Sequence, residues 1–330
     1  PVSGNGTSWA KSFKFLQDAL KVAIAGDRIF LAKGIYYPDD FLPINGENLN
    51  YGDRELSFEL NRVTIYGGFL GNETNVDQRD PLANETILSG AIWDAVATPG
   101  YERYWALHVV VLKGDSTLDG VTIEHGRANG DEVPYNQGGA VYAPSGTTVT
   151  LENCLLRENL ACESGGAVWG TVKANKSTFA DNRTDNEFLL TDRKLNDPAT
   201  PNRSWLFNEN CYGGAINGDV TATECQFLGN IVNTSALNLG NTTSASGGAI
   251  YGTNIVLDKC LFDGNSAVAY SHTLRSQNSG STATAIGGAI VGYVKAKNSK
   301  FLDNSAQATS DCDRTSPRDD KHPAVPYIAN

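Results

Sequence analysis

The sequence contains no methionine and only four widely spaced histidines, His108, His125, His272 and His322. This spacing shows no metal-ligand pattern, so we expect no metal site and no cofactor. Basic residues are also scarce, because 26 Lys and Arg stand against 37 Asp and Glu, and a formal net charge of -11 argues against nucleic acid as a partner. No long apolar run is present, so we expect no membrane span in this segment.

The N-terminus shows no recognisable secretion signal, and the first residue is Pro1. Together with the absence of methionine, this leads us to expect a processed or excised segment of a protein.

A two-part repeat dominates the sequence from Gly138 to Asn304. Each Gly-Gly-Ala-aliphatic step is followed by an apolar-x-x-Asn step about seventeen residues later. The Gly-Gly-Ala-aliphatic steps begin at Gly138, Gly165, Gly213, Gly247 and Gly287. The apolar-x-x-Asn steps end at Asn159, Asn182, Asn230, Asn265 and Asn304. Such self-similarity is typical of a solenoid, in which each repeat buries its apolar face by stacking on its neighbours.

The apolar positions within each repeat fit β-strands and do not fit a helix. Counted back from each Asn, positions ten, eight and three are apolar or Ala, and position five is small, as in Val149, Leu151, Leu156 and Cys154. Steps of two indicate strand alternation, and the step from eight to five indicates a bend between two strands. The sequence therefore predicts an all-β parallel β-helix, in which Gly-Gly and Asn have structural roles in turns and stacking.

The repeats resemble those of polymorphic outer-membrane proteins and of the wider right-handed parallel β-helix family of secreted and cell-surface proteins. The N-terminal third resembles the same family in Gly4-Asn5-Gly6-Thr7-Ser8-Trp9, Tyr66-Gly67-Gly68-Phe69 and Leu118-Asp119-Gly120-Val121-Thr122-Ile123. The resemblance implies a right-handed β-helix. It says little about activity, because this architecture includes adhesins and structural surface proteins as well as polysaccharide lyases, hydrolases and epimerases.

We expect one β-helix domain over residues 1–310, followed by a C-terminal tail or linker over 311–330. Within the domain, an amphipathic helix over 12–25 covers the first coil, with Ser12 as its cap and Gly26 as its stop. Irregular coils follow over 27–125, and regular coils over 138–304. Long loop insertions separate each Asn from the next Gly-Gly, and they are either tolerated surface loops or a binding edge.

Six cysteines and several Asn-x-Ser/Thr sequons point to an extracellular location. We predict Cys162 and Cys211 as the best disulfide pair, because each shortly precedes a Gly-Gly in consecutive coils. Cys154, Cys225 and Cys260 fill the small inward position, where thiols and disulfides are equally expected. Asn202, Asn233 and Asn241 are the glycosylation candidates, because we place them in the insertion loops.

The outward-facing columns of the regular coils show no two carboxylates in successive coils, which argues against a catalytic cleft on that face. We predict no catalytic residue. His125, between Glu124 and Arg127 near a coil end, is the most suggestive single position, although a solvated turn explains it better.

An exposed aromatic strip is predicted at the third residue after each Gly-Gly pair, which faces outward. Tyr142, Trp169 and Tyr251 occupy this column and could stack on sugar rings or on another protein. Alternatively, the inserted loops fold over them.

The leading hypothesis is an extracellular or cell-surface β-helix protein with a structural or adhesive role, one form of which is a subunit of an extracellular filament. Its expected partners are further copies of itself, other surface proteins or polysaccharide. The alternatives are a carbohydrate-active enzyme of the lyase, hydrolase or epimerase kind and a non-catalytic glycan-binding module.

Overall fold

The computed structural model describes residues 4–39, 53–92, 105–130, 132–186, 210–237, 242–273 and 282–312. Over these ranges the regular secondary structure is almost entirely β-strand, and every strand pair is parallel. The helical elements are a 3-10 turn at Trp9–Lys11, the helix α1 at Leu16–Val22 and a second 3-10 turn at Val76–Gln78. None of the helices in these ranges is long and apolar enough to cross a membrane.

Strand bounds follow the coils in chain order. The first coils contain β1 (Arg28–Ala32), β2 (Gly34–Tyr36), β3 (Phe58–Asn61), β4 (Thr64–Phe69), β5 (Thr86–Ser89), β6 (Val110–Gly114), β7 (Ser116–Asp119), β8 (Thr122–Glu124) and β9 (Arg127–Ala128). The next coils contain β10 (Val141–Tyr142), β11 (Thr148–Glu152), β12 (Leu155–Arg157), β13 (Leu160–Ala161), β14 (Val168–Trp169), β15 (Thr171–Asn175), β16 (Thr178–Ala180), β17 (Arg183–Asp185), β18 (Asn210–Tyr212), β19 (Ile216–Asn217), β20 (Val220–Thr223) and β21 (Gln226–Leu228). The last coils contain β22 (Ile231–Leu237), β23 (Thr242–Ser246), β24 (Ile250–Asp258), β25 (Leu261–Asp263), β26 (Ser266–Thr273), β27 (Thr282–Ile286), β28 (Ile290–Lys297), β29 (Lys300–Leu302) and β30 (Ser305–Cys312).

These strands form four long sheets that run along one axis. The largest sheet contains two columns of strands that meet at β24, and β24 also pairs with β28. The second sheet runs from β2 to β29 and the third from β9 to β30. The fourth sheet contains β18, β23 and β27. Equivalent positions of successive coils pair directly, as Phe179 with Phe227 and Phe227 with Phe262. The molecule is thus a right-handed parallel β-helix, the hand that parallel crossover connections take almost without exception.

The apolar side chains meet inside the coils. Val149, Leu151 and Leu156 are fully buried in one continuous cluster that extends along the described coils. A second, Ala-rich cluster lies between the third and fourth sheets, around Cys211 and Val232. The inward positions predicted from the repeat are therefore the core of the fold.

The repeat asparagines form a ladder inside the stack. The Oδ1 atom of Asn230 accepts hydrogen bonds from the backbone N–H (3.1 Å) and from Nδ2 (3.0 Å) of Asn182. The Nδ2 atom of Asn230 donates in turn to Oδ1 of Asn265 (2.9 Å) and to the carbonyl oxygen of Phe179 (2.9 Å). The same pattern runs from Asn159 to Asn304. Each buried amide is satisfied only by the neighbouring coils.

The aromatic residues three positions before these asparagines stack in a second ladder. The ring centroids of Phe179, Phe227, Phe262 and Phe301 lie 4.8, 4.5 and 4.9 Å apart in successive coils, with the rings nearly parallel. The Gly-Gly pair permits this close spacing, because a Cβ atom on Gly166 would lie 2.3 Å from the carbonyl oxygen of Gly214 in the next coil. Every part of the repeat therefore serves coil stacking.

The capping helix is shorter than the predicted span of 12–25. It begins at Leu16 after Phe15 and has no side-chain cap, whereas Ser12 ends the preceding 3-10 turn, where its backbone N–H bonds to the carbonyl oxygen of Trp9. It ends before Ala23, since the Asp27 carboxylate accepts the N–H of Ile24 at 2.8 Å. The prediction of Ser12 as the cap is therefore wrong, whereas Leu16 is buried against the first coil as expected.

The insertions after each Asn are not only loops. Their described parts form β17 and β18 in one coil, β22 and β23 in the next, and β26 and β27 in the third, and these strands pair in register between coils. The ladder asparagine thus begins a further strand rather than ending the coil. The prediction missed this because the alternating Ala, Thr and Ser residues carry a weak hydrophobic signal.

Replacing Asn230 by alanine tests the ladder. It leaves two donors of Asn182 and one carbonyl oxygen without their buried partner, so we expect a loss of about 3 kcal/mol in the free energy of unfolding, measured by urea denaturation. The matched control Asn304→Ala, at the partly exposed last rung, should cost clearly less. Equal losses at the two positions would contradict the ladder as the source of stability.

Candidate functional site

The predicted aromatic strip is only partly formed. Tyr142 and Trp169 stand in register, and their rings stack at 5.1 Å with an interplanar angle of 14°. Asn217 occupies the next place in the column and separates them from Tyr251. Tyr251 packs instead against Tyr212, with ring centroids 4.7 Å apart. The three predicted residues therefore do not form one continuous surface.

The stack around Tyr142 extends away from Trp169. His108 lies against the other face of Tyr142 at 5.3 Å, and Tyr135 follows His108 at 6.3 Å. Burial lowers the pKa of His108 to about 4, although its Nδ1 atom lies 2.9 Å from the carbonyl oxygen of Gly138. Because both faces of Tyr142 are covered by other rings, no face is left there for a sugar ring to stack on. The arrangement favours a packing role for Tyr142.

His125 lies at the centre of a charged cluster formed by Glu85, Glu124, His125, Arg157 and Glu158. Its Nδ1 atom lies 3.4 Å from Oε1 of Glu124, and its Nε2 atom lies 3.1 Å from Oε2 of Glu158 in the next coil. Arg157 pairs with Glu124 at 2.8 Å and with Glu85 at 3.6 Å. Opposite charges therefore alternate through the cluster.

The hydrogen bond to Glu124 raises the pKa of His125, and the contact with Glu158 adds to this effect. The hydrogen bond from His125 lowers the pKa of Glu124, with a further contribution from Arg157. These directions favour a charged histidine between two carboxylates. That state stabilises an ion-pair network, whereas a general acid would need a carboxyl group whose pKa is raised.

The left-handed backbone of His125 is a feature of the coil and not of a special site. Its φ is 62°, and the residue before each ladder asparagine has a similar value, as Glu158 (55°), Asp181 (54°) and Asp303 (49°) show. The bend before each new strand requires this conformation in successive coils. Backbone strain therefore does not single out His125 as functional.

A cleft of about 1180 Å³ lies beside this cluster. One wall is the strap, which we define as residues 70–85, and the opposite rim includes Asn153 and Lys176. Its floor is a column of outward residues in register, Thr122, Leu155 and Thr178. We call this space the strap cleft. It is an open concavity with both polar and apolar lining residues.

An ion pair holds the strap on the coils. The Nη2 atom of Arg79 lies 2.6 Å from Oδ2 of Asp119, and both side chains are only 14% exposed. The Nη1 atom donates to the carbonyl oxygens of Gly67 and Asp119, and the guanidinium group lies over the ring of Tyr66. Charge-assisted bonds of this kind fix position strongly. Arg79 thus anchors the strap and shapes the cleft.

Two carboxylates stand in successive coils where the irregular coils meet the regular ones, outside the regular columns in which the sequence shows no such pair. Asp119 pairs in register with Glu152, and Glu152 with Asn175. The prediction missed Asp119 because its coil lacks the terminal asparagine, although counting seven residues back from Gly126 would have found it. Asp119 accepts bonds from Arg79 and Asn153, and Glu152 accepts one from Asn175. The pair is therefore engaged in packing the bend.

No group of three or more His, Cys, Asp or Glu residues that could hold a metal ion occurs in the ranges the structure describes. Within the strap cleft, the hydroxyl group of Thr122 donates to Oε1 of Glu85 at 3.1 Å. The strap cleft can therefore offer hydrogen bonds and charge to a ligand.

The predicted disulfide between Cys162 and Cys211 is not formed in the structure. Ser164 pairs with Tyr212, so Cys211 stands opposite Glu163 and is out of register with Cys162. The Cys211 thiol points to the carbonyl oxygen of Cys162 at 3.5 Å. This offset explains why the two thiols do not face each other.

The glycosylation candidates fall in two groups. Asn233 lies within β22 and not in a loop, and its amide donates to Oδ2 of Asp185 at 3.2 Å, so its predicted loop location is wrong. Asn202 and Asn241 lie outside the described residues. Glycosylation of these two positions remains a prediction.

Comparisons with known proteins add little to this geometry. No family model and no curated protein matches the chain. Among solved structures, pectate lyase Pel9A is similar over 90% of this chain and 75% of its own, with 11% identity and a TM-score of 0.39. This likeness supports no argument about activity. The chain is a parallel β-helix protein by its own strand pairing.

His125→Gln tests the charged cluster through pH. Because the pKa of His125 is raised above its ordinary value of 6.5 in the folded state, its contribution to stability is fully present below about pH 6.5 and is lost as pH rises through the raised value. We expect the wild type to exceed the variant by at most about 1 kcal/mol at pH 5.5, and by less at pH 8.5, in urea unfolding. An NMR titration that places His125 at or below pKa 6.5 would contradict the cluster geometry.

Proposed function

We propose that this chain is a structural or adhesive β-helix of an extracellular or cell-surface protein, and that its last coil joins a further β-coil. The resemblance of its repeats to those of polymorphic outer-membrane proteins supports the location. The use of all repeat residues in stacking supports a structural role. The observation that supports assembly is the exposed apolar surface of the last described coil.

The last coil exposes positions that are core elsewhere. Phe301 is 46% exposed, whereas Phe179, Phe227 and Phe262 at the same position of earlier coils are 0% exposed. Val294, whose counterpart Ile255 in the preceding coil is buried, is 42% exposed. A cluster of exposed apolar side chains of this kind is typical of an interaction site. We call these residues, with Asn304, the open face.

The strand edges of the open face also offer backbone groups for hydrogen bonding. Strands β27, β28, β29 and β30 each stand last in their sheet, so one edge of each offers N–H and C=O groups. The backbone N–H of Asn304 has no asparagine beyond it among the described residues, whereas the N–H of Asn265 bonds to Oδ1 of Asn304. A strand edge of another molecule would pair with these backbone groups and cover Phe301.

The opposite end of the stack differs, because α1 packs there with Leu16, Leu20 and Ala23 against the first coils. Head-to-tail stacking of copies would have to displace α1. We therefore favour a pair of copies joined by their open faces about a twofold axis, over the filament that the sequence alone suggested. In this arrangement the strand edges pair with each other and Phe301 becomes buried.

Carbohydrate binding in the strap cleft is a second candidate function. Its specific support is the size of the cleft and its hydroxyl, amide and charged groups at Thr122, Thr178, Asn153 and Lys176. Calorimetric titration with neutral and acidic oligosaccharides, with Lys176→Ala as the comparison, distinguishes this binding role and the related enzyme hypothesis from a purely structural one.

Light scattering over a range of protein concentrations tests the open face. We expect a dimer whose dissociation constant rises at least tenfold in Phe301→Lys, because a charge enters an apolar contact. Val256→Lys is the matched control, since Val256 is 43% exposed on the outside of an inner coil and should leave association unchanged.

A monomer at all concentrations, with Phe301 protected from surface labelling by residues of its own chain, would overturn the dimer. Dimerisation that survives Phe301→Lys while both variants keep the wild-type circular dichroism spectrum would place the interface elsewhere.

A further inference from the structure

Cys225 and Cys260 occupy the same place in consecutive coils. Thr223 pairs with Asp258 and Gln226 pairs with Leu261, and two residues lie between the paired positions in each strand. The backbone N–H of Leu261 bonds to the carbonyl oxygen of Cys225 at 2.9 Å, which fixes this register. The two cysteines therefore face each other across one coil step.

The spacing of the two residues suits a covalent bond. Paired parallel strands lie about 4.8 Å apart, and the Cα atoms of a disulfide lie about 4.4–6.8 Å apart. Both side chains point inward and are almost fully buried. The register of the coils already places the two cysteines opposite each other.

The thiols already interact. A hydrogen bond from Cys225 lowers the pKa of the Cys260 thiol, against the effect of burial, and the same bond together with burial raises the pKa of Cys225. A sulfur that gains thiolate character next to a second thiol is the arrangement in which thiol–disulfide exchange proceeds. The two cysteines therefore suit the roles of an attacking and a resolving thiol.

The other cysteine at this position in the coil lacks such a partner. Leu155 pairs with Thr122 and with Thr178, so Cys154 stands between Val121 and Ser177. Its amide N–H bonds to Oγ of Ser177 at 3.1 Å, and burial raises the pKa of its thiol to about 12. Cys154 is thus an internal control for Cys225 and Cys260.

We propose that Cys225 and Cys260 form a disulfide that links two consecutive coils, made by exchange with a low-molecular-weight disulfide in the oxidising location that the proposed function implies. The thiolate of one of the two cysteines attacks one sulfur of that disulfide, forms a mixed disulfide and releases one thiolate. The thiol of the other cysteine then loses its proton, attacks the Sγ atom of the first cysteine and releases the second thiolate. One external disulfide is reduced to two thiols, and one sulfur–sulfur bond forms in the protein.

The bond closes the chain around the described strands β21 to β24, which include part of the second insertion. A cross-link of this kind restricts the unfolded chain and so stabilises the fold. Because both sulfur atoms are buried, the reaction belongs to folding, before the coils close over them. The inter-coil disulfide would therefore reinforce the stack at the coils nearest the open face.

Refolding of the full chain at pH 8 in oxidised and reduced glutathione tests the proposal. We expect the wild type to lose two of its six cysteine thiols to a thiol reagent under denaturing conditions. A peptide map without reduction should contain the segment with Cys225 joined to that with Cys260. Cys225→Ser and Cys260→Ser should lose this cross-linked peptide, whereas Cys154→Ser should keep it.

Reduction with dithiothreitol should lower the midpoint of urea unfolding of the wild type and of Cys154→Ser, and leave Cys225→Ser and Cys260→Ser unchanged. The proposal is overturned by a folded wild type that keeps all its thiols, or by a cross-link that maps to Cys162 and Cys211. If the serine variants do not fold, the wild-type map alone gives the same decision. The assay is independent of dimerisation, so its failure and that of the open-face model are separate results.

Discussion

A buried asparagine amide in every regular coil must find hydrogen-bond partners, and in this chain the partners belong to the neighbouring coils. The cost of leaving such a group unpaired fixes the register of one coil on the next. The phenylalanine stack and the close backbone approach at the Gly-Gly pairs depend on that register. Asn182, Asn230 and Asn265 therefore determine where all other side chains stand.

The same register arranges the outward side chains in columns, and the functional proposals depend on those columns. Asp119 stands beside Glu152, and Glu124 beside Arg157, because their coils are stacked one step apart. These groups satisfy each other through ion pairs and hydrogen bonds. Exposed apolar side chains remain at the open face around Phe301. The strap cleft remains as a space that a ligand could occupy.

The repeat was enough to predict the fold because each of its residues has one physical role, as Asn230 and Phe227 show. The site was harder to predict, since it depends on contacts between residues far apart in the sequence. Arg79 reaches Asp119 from the strap, and Asp119 lies in a coil without the repeat. The stacking of His108 on Tyr142, which covers a face predicted to be free, likewise has no signal in the sequence. The inserted strands were missed because Ala and Thr alternate there with little hydrophobic contrast.

Native-state hydrogen exchange at the ladder asparagines tests the central claim most directly. If inter-coil amide bonding holds the stack together, the backbone N–H groups of Asn182 and Asn230 exchange only through global unfolding. The N–H of Asn304, on the open face, should exchange orders of magnitude faster in the dilute monomer. Equal and fast exchange at all these positions would contradict the account, because the fold would then owe its stability to other contacts.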